Sequence, residues 1–424
     1  MNRPVDEMIR RARVVNGASG KACAAPSRSA WSGPLHIQPM LKSPLALLLL
    51  MAPLSITKAQ PSPPMRPLIE ELRIDGKSHE WTRIGIVRVS PSGPILVGEN
   101  RGTSIRVFSP SGQLVRSLGR RGQGPGEFQE VTTLGVLGDT IWAGDHTAAR
   151  LTFFDLLGNV LGTTRMDSGP ALVRDAGARV VQSPRLLWTA PRVLYPDGTA
   201  LVTPLTTSGD ADTLGNVSVY PFWRTTRRGR VLDTVLTVIR ESPAVRVASA
   251  DGSRRTILAN PFPQRQHATA SVDGRRLAVV DASYTGRDAW SYGVRVMDER
   301  GRQLYARRFP FSRAPVPTHV VDSIVGVMTT RFQAYTGIRE AIPVPPSYPP
   351  ITRVLVASEG SVWLRGHDDP VGATWTILDP RGEPIAMVRE PAHTRFIEVD
   401  GGLWATERDA DDVESIIRYR VGPR

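Results

Sequence analysis

The chain has 424 residues, 41% of them hydrophobic and 22% charged, which is ordinary for a globular protein of one large domain or a few small ones. Its formal charge of +13 argues weakly for nucleic acid, because only 4 of the 53 basic residues are lysine. Residues 1–60 hold 8 of the basic and 2 of the acidic groups, so +7 remains, scattered among acids with no run that tracks a phosphate backbone; no nucleic-acid partner is expected. The single cysteine, Cys23, excludes a cysteine-built zinc site and an internal disulfide framework.

Residues 1–39 are rich in Arg, Ser, Gly and Ala without periodicity, so disorder is expected there. Residues 40–59 read as a secretory signal. Lys42 precedes an apolar run from Pro44 to Ile56, and Thr57 and Ala59 occupy the positions a signal peptidase reads. A start at Met40 would make the preceding 39 residues an upstream over-call of the gene. The apolar run is short for a membrane span, which needs roughly 20 residues. An uncleaved anchor is the alternative. Cleavage near Ala59 would release a secreted or periplasmic chain with no membrane span. Residues 60–67 form a Pro-rich linker.

From residue 68 onward the chain repeats itself. Six times a short apolar segment meets a tight turn and a second apolar segment follows: Ser90–Glu99, Val136–Asp145, Tyr195–Pro204, Ser271–Asp281, Ala357–Gly366 and Glu398–Glu407. Asp-Gly, Glu-Gly and Ser-Gly pairs supply the turns. Four copies add a third run closed by a glycine turn, at Gly112, Gly158, Gly301 and Gly382, and most add a fourth run. Four-stranded units of about 40 residues predict an all-β, six-bladed β-propeller of four-stranded antiparallel blades over residues 68–424. The last unit has only three runs, so Glu70–Gly76 is expected to supply its outer strand and close the ring. One segment departs from the rhythm: Val321, Ile324, Val325 and Met328 fall at helical spacing, which predicts one inserted helix near 318–332, N-capped by Thr318 and packed on the propeller's flank.

The stretch "GRRGQGPGEF", Gly119–Phe128, concentrates glycine and arginine as a phosphate loop does. A phosphate loop opens a helix, whereas the β-run Val131–Leu137 follows here, so the stretch reads as a crossing between blades with Phe128 as a packing wedge. The sequence resembles an NHL repeat and its linker at Gly119, Gly122, Gly124, Pro125, Gly126, Glu127 and Phe128. The likeness continues at Asp145, Arg150, Leu151, Phe154, Asp155 and Gly158, and the close match covers Ile95–Met166. Ala148 stands where the family often has Asn. The resemblance implies that Asp145 and Arg150 make a structural contact within the blade. The layout is also similar to the secreted six-bladed propellers of unknown function in high-GC bacteria and, more distantly, to the TolB-like superfamily.

No G-x-S-x-G, H-E-x-x-H or C-x-x-C motif occurs, and the seven histidines never fall at metal-ligand spacing. The candidate site is therefore distributed over loops that follow the second strands: Glu99, Asn100, Arg101, Asp145, His146, Asp281, Arg365, His367 and Glu407. On one reading these are solvated or structural charges around the mouth of a binding or scaffolding module for a peptide, glycan or protein, monomeric and without a cofactor. On the other, Glu99, Asp145, Asp281 and Glu407 converge as hard oxygen ligands for Ca²⁺, which would resemble the lactonase-type or lyase-type propellers and make the protein a metal-dependent hydrolase or lyase. Trp142, Trp363 and Trp404, on second strands, are expected in the core between blades.

Overall fold

The computed structural model describes residues 62–423 apart from 82, 91, 167–171, 175–179, 183–187, 206–216, 242–244, 259, 263, 282–289 and 370. The expectations for residues 1–59 lie outside the described residues. So does the start of the linker.

Strands dominate, and they fall in chain order into four-stranded antiparallel sheets. The first sheet is Ile84–Val89, Ile95–Glu99, Ile105–Phe108 and Leu114–Leu118. The second is Thr133–Leu137, Thr140–Asp145, Arg150–Asp155 and Val160–Arg165. The third, Trp188–Leu194, Thr199–Leu205, Val217–Thr226 and Val231–Glu241, gains Gln264–Arg265 at its edge. Then come His267–Ala270, Arg276–Asp281, Ser291–Asp298 and Gln303–Pro310, followed by Arg353–Val356, Val362–Asp369, Gly372–Leu378 and Pro384–Glu390. The sixth is Thr394–Glu398, Leu403–Arg408 and Glu414–Val421. Its fourth strand comes from the other end of the chain: Leu68–Ile74 pairs antiparallel with Glu414–Val421, from Leu68 opposite Val421 to Ile74 opposite Ile416.

The turns explain why these runs end where they do. In the second sheet, Asp155 Oδ1 accepts the Asn159 amide at 2.8 Å and Gly158 takes φ +92°, a conformation that costs glycine little. Asp298 and Asp379 repeat the device, each accepting two amides of its own turn. This is the physical content of the Phe-Asp-x-x-Gly pattern.

Burial on both faces ties each sheet to the next, which makes the arrangement propeller-type. On the second strand of the second sheet, Ile141 and Ala143 pack toward the first sheet with Leu96 and Val107, while Trp142 between them packs toward the third with Val202 and Trp223. Leu277 and Val279 face Leu201 and Leu236; Ala278 and Val280 face Val354 and Leu364. Trp363 and Trp375 meet Phe396 and Ile417, and Trp404 meets Val97 and Phe108 of the first sheet. All three second-strand tryptophans thus lie between sheets, as expected. The inner edge is made by first strands: Thr133–Leu137 touches both Ile84–Val89 and Trp188–Leu194, His267–Ala270 touches Arg353–Val356, and Ile84–Val89 touches Thr394–Glu398.

The glycine-rich crossing leads into a strand, not a helix. Arg120–Arg121 runs parallel to Glu127–Phe128, and Glu127 folds back so that its carboxylate accepts the Gly124 amide at 2.8 Å and pairs with Arg120 at 2.9 Å. A Cβ on Gly122 would stand 2.1 Å from that carboxylate, and one on Gly126 2.7 Å from Val160. Phe128 is 0% exposed between the first two sheets, its ring 6.2 Å from that of Phe154.

The inserted helix spans Thr318–Arg331, and two expectations about it need correction. Its N-cap is Pro317, not Thr318, with no side-chain cap bond. Its buried residues, Val321 and Val325, belong to none of the inter-sheet clusters. They pack with Val245, Val247, Leu258 and Ile338 in a small module of their own. That module combines the hairpin Val245–Ser249 and Arg255–Leu258 with Tyr335–Thr336 and the short helix Ile338–Ala341. The hairpin's Ser249–Gly252 turn has the same chemistry as the six repeats, so turn signals alone do not separate it from a blade.

Candidate binding face

In an antiparallel four-stranded sheet, the loop between the second and third strands and the exit of the fourth strand lie at the same end. Arg101, the Asp145–His146 corner and Asp409 therefore share an end with every crossing between sheets. Among the described residues these crossings include residues 119–132, the hairpin Leu172–Arg174 and Val180–Gln182 between the second and third sheets, the small module over 245–258 and 311–352, and the short link 391–393. Glu99, Asp145 and Asp281 close their second strands, and Glu407 stands one residue before the end of its own. Arg365 and His367 depart from expectation: the second strand continues through Asp369, with a register shift between Arg365 and Asp368, so both stand on the strand rather than in a loop.

Most of these side chains are already engaged. Glu99 pairs with Arg106 at 2.8 Å, Asp281 with Arg295 at 3.1 Å, and Glu407 with Arg73 at 2.9 Å. The Asn100 backbone N–H donates to the Arg83 carbonyl at 2.9 Å, and Arg101 is exposed with φ +59°. Asp145 is 0% exposed and works as a backbone cap: its carboxylate accepts the amides of Gln129 at 2.7 Å and Ala148 at 2.9 Å. Arg150, its register partner, reaches away to the carbonyls of Gln123 at 2.6 Å and Glu127 at 2.5 Å. The implied contact between Asp145 and Arg150 is thus replaced by a shared duty, with both side chains pinning the same crossing. Asp145→Asn keeps one accepting oxygen but turns an NH2 donor toward the amide bonded by the other, and should cost about 2 kcal/mol in denaturant unfolding.

Among the described residues, no three His, Cys, Asp or Glu side chains gather closely enough to hold a metal ion. Glu99, Asp145, Asp281 and Glu407 stand on four different sheets, each with its own partners.

Further groups stand on this face. His146 is half-buried with its Nδ1 unpartnered. Beside it lies a cleft of about 380 Å³ lined by Arg121, Gln123, Gln129, Glu130 and Thr147. His367 stacks on Tyr348 at 5.2 Å and 5°, and Tyr348 arrives from the Pro-rich crossing out of the small module. Arg365 donates to Glu390 at 2.5 Å and Thr352 at 3.2 Å, and also to Asp368. Burial works against its charge, but the Glu390 hydrogen bond and charge more than offset it, and its pKa is raised. Sequence reasoning missed Tyr348; the only signal was an aromatic within "PPSYPP".

No protein-family model matches the sequence, and no curated protein matches it. Solved structures with a similar fold include a putative exported protein from Bacteroides fragilis, at 11% identity over 84% of this chain and 96% of that one, TM-score 0.40. Another is the calcium-binding protein regucalcin from Agrobacterium tumefaciens, at 13% over 85% and 98%, TM-score 0.33. A third is virginiamycin B lyase from Staphylococcus aureus, at 10% over 84% and 99%, TM-score 0.38. No helix among the described residues is long and apolar enough to cross a membrane.

Proposed function

We propose that the chain is a secreted, six-bladed, NHL-like propeller that binds a peptide, glycan or protein on the face where its crossings gather. Export follows from the signal-like residues 40–59, with cleavage near Ala59 and the folded part beginning near residue 68. The six-blade reading is supported by the inter-sheet clusters, which run from each sheet to the next and return from the last to the first. One observation carries the binding reading. The carboxylates that would serve a metal are used as caps and ion pairs, whereas the same face presents a polar cleft, the Tyr348–His367 stack and an inserted module. Propellers host both binding and catalysis, so function has to be argued from the site.

The test is a peptide and glycan array probed with the purified chain, beside a Ca²⁺ titration followed by thermal shift. Saturable binding that is lost when Tyr348 and His367 are both changed to Ala is the expected result. A Ca²⁺-dependent rise in Tm that disappears in Asp281→Asn would instead support the hydrolase or lyase reading.

A further inference from the structure

The cleft of about 380 Å³ on the candidate face is lined from two stretches of backbone, and one side chain ties them together. Asp145, 0% exposed, accepts the Gln129 amide at 2.7 Å and the Glu130 amide at 3.4 Å through one oxygen, and the Ala148 amide at 2.9 Å through the other. The first two amides belong to the crossing out of the first sheet, the third to the corner that carries Thr147. Arg150 adds a second tie by donating to the Gln123 and Glu127 carbonyls. The crossing also closes on itself: the Gly122 N–H donates to the Phe128 carbonyl at 3.1 Å and the Gly124 N–H to the Glu127 carboxylate at 2.8 Å. Both walls are thus fixed before any ligand arrives, which lowers the cost of binding one.

The side chains on those walls are uncommitted. Arg121, Gln123, Gln129, Glu130 and Thr147 make no side-chain hydrogen bond or ion pair among the described residues. Arg121 and Glu130 line the same space without pairing, so the cleft presents a cation and an anion and no net charge. The other three bring two carboxamides and a hydroxyl, and no Leu, Ile, Val, Met, Phe, Tyr or Trp lines the space.

This composition sets the chemistry of the ligand. A phosphate would meet Glu130, and the glycine amides that a phosphate loop offers are spent inside the crossing. An apolar side chain of a peptide would find no apolar wall. A sugar hydroxyl both donates and accepts, which matches carboxamides, a hydroxyl and an unpaired guanidinium and carboxylate, and the charged partners make the stronger bonds. The volume lies at the small end of the roughly 300–1,000 Å³ of ligand sites and suits about one or two sugar rings. We propose that this cleft binds a neutral saccharide, with Arg121 and Glu130 anchoring hydroxyls and Gln123, Gln129 and Thr147 completing the contacts. The inference rests on the reading of the chain as a binding module and selects a glycan as its ligand.

The full chain is probed on an array of neutral and acidic glycans. The tightest neutral binder is then titrated by calorimetry beside glycine and inorganic phosphate. Saturable binding of a neutral glycan is expected, and its affinity should change by less than about twofold when sodium chloride is raised about tenfold, because no net charge is exchanged. Arg121→Ala and Glu130→Gln should each weaken it by ~10-fold or more, and Gln129→Ala by about 5-fold. Arg121 and Gln129 are exposed, so their variants should melt with the wild type and report binding alone. No neutral glycan bound, binding that these variants leave unchanged, or tighter binding of glycine or phosphate overturns the proposal. If Tyr348- and His367-dependent binding of peptides appears while neutral glycans give no signal, the saccharide site falls and the binding module stands.

Discussion

Phe128→Ala should destabilise the protein by about 3–5 kcal/mol, measured as a fall in the denaturant midpoint at unchanged slope. The ring is 0% exposed and lies in one cluster with Leu96 and Leu118 of the first sheet and Leu134 and Phe154 of the second. Truncation removes the wedge between two sheets that meet mainly through apolar side chains. The site cannot collapse easily, because the backbone on either side is held. Arg120–Arg121 pairs with Glu127–Phe128, and Arg150 grips the carbonyls of Gln123 and Glu127. Arg121→Ala serves as the comparison. Arg121 is exposed in the same crossing, and its removal should change stability by less than about 0.5 kcal/mol. Equal losses in the two variants would contradict the role of Phe128 as the packing wedge.

Removing residues 62–76 should have the larger effect and abolish cooperative folding. Leu68–Ile74 covers the outer edge of the last sheet, and Ile74, 2% exposed, completes the apolar layer that joins Trp404 and Ile416 to Val97 and Phe108 of the first sheet. Ion pairs reinforce the seam: Arg73 bonds Glu407 at 2.9 Å and Arg420 bonds Glu71 at 3.0 Å. These are exposed and weigh little beside the buried contacts. Without the strand, the seam between last and first sheets opens and Glu414–Val421 becomes a free edge, which promotes aggregation. The total stability of a domain is only about 5–15 kcal/mol, so a loss spread over one whole seam removes most of it.

Much of this fold is legible in the sequence. Turn chemistry located the repeats, because Asp155, Asp298 and Asp379 each cap their own turn within four residues. A missing fourth run in the last unit points to Glu70–Gly76, and the strand that fills the place is Leu68–Ile74, two residues earlier. The site was less legible, for a physical reason. The resemblance implies a contact between Asp145 and Arg150, which are register partners, but their side chains serve backbone groups of a crossing 15 to 27 residues earlier, and nothing in local spacing encodes that reach. The Ser249–Gly252 hairpin obeys the same turn rules as a blade and differs only in what it packs on.

Ring closure between the two ends of the described chain is the central claim, and hydrogen exchange of the backbone amides tests it most directly. If the first and last strands are one seam, the Leu68–Ile74 amides that bond to the neighbouring strand should exchange as slowly as those of Glu414–Val421. Denaturant should release both together, at the free energy of global unfolding. Fast exchange of Leu68–Ile74 beside a protected Glu414–Val421 would contradict the closure.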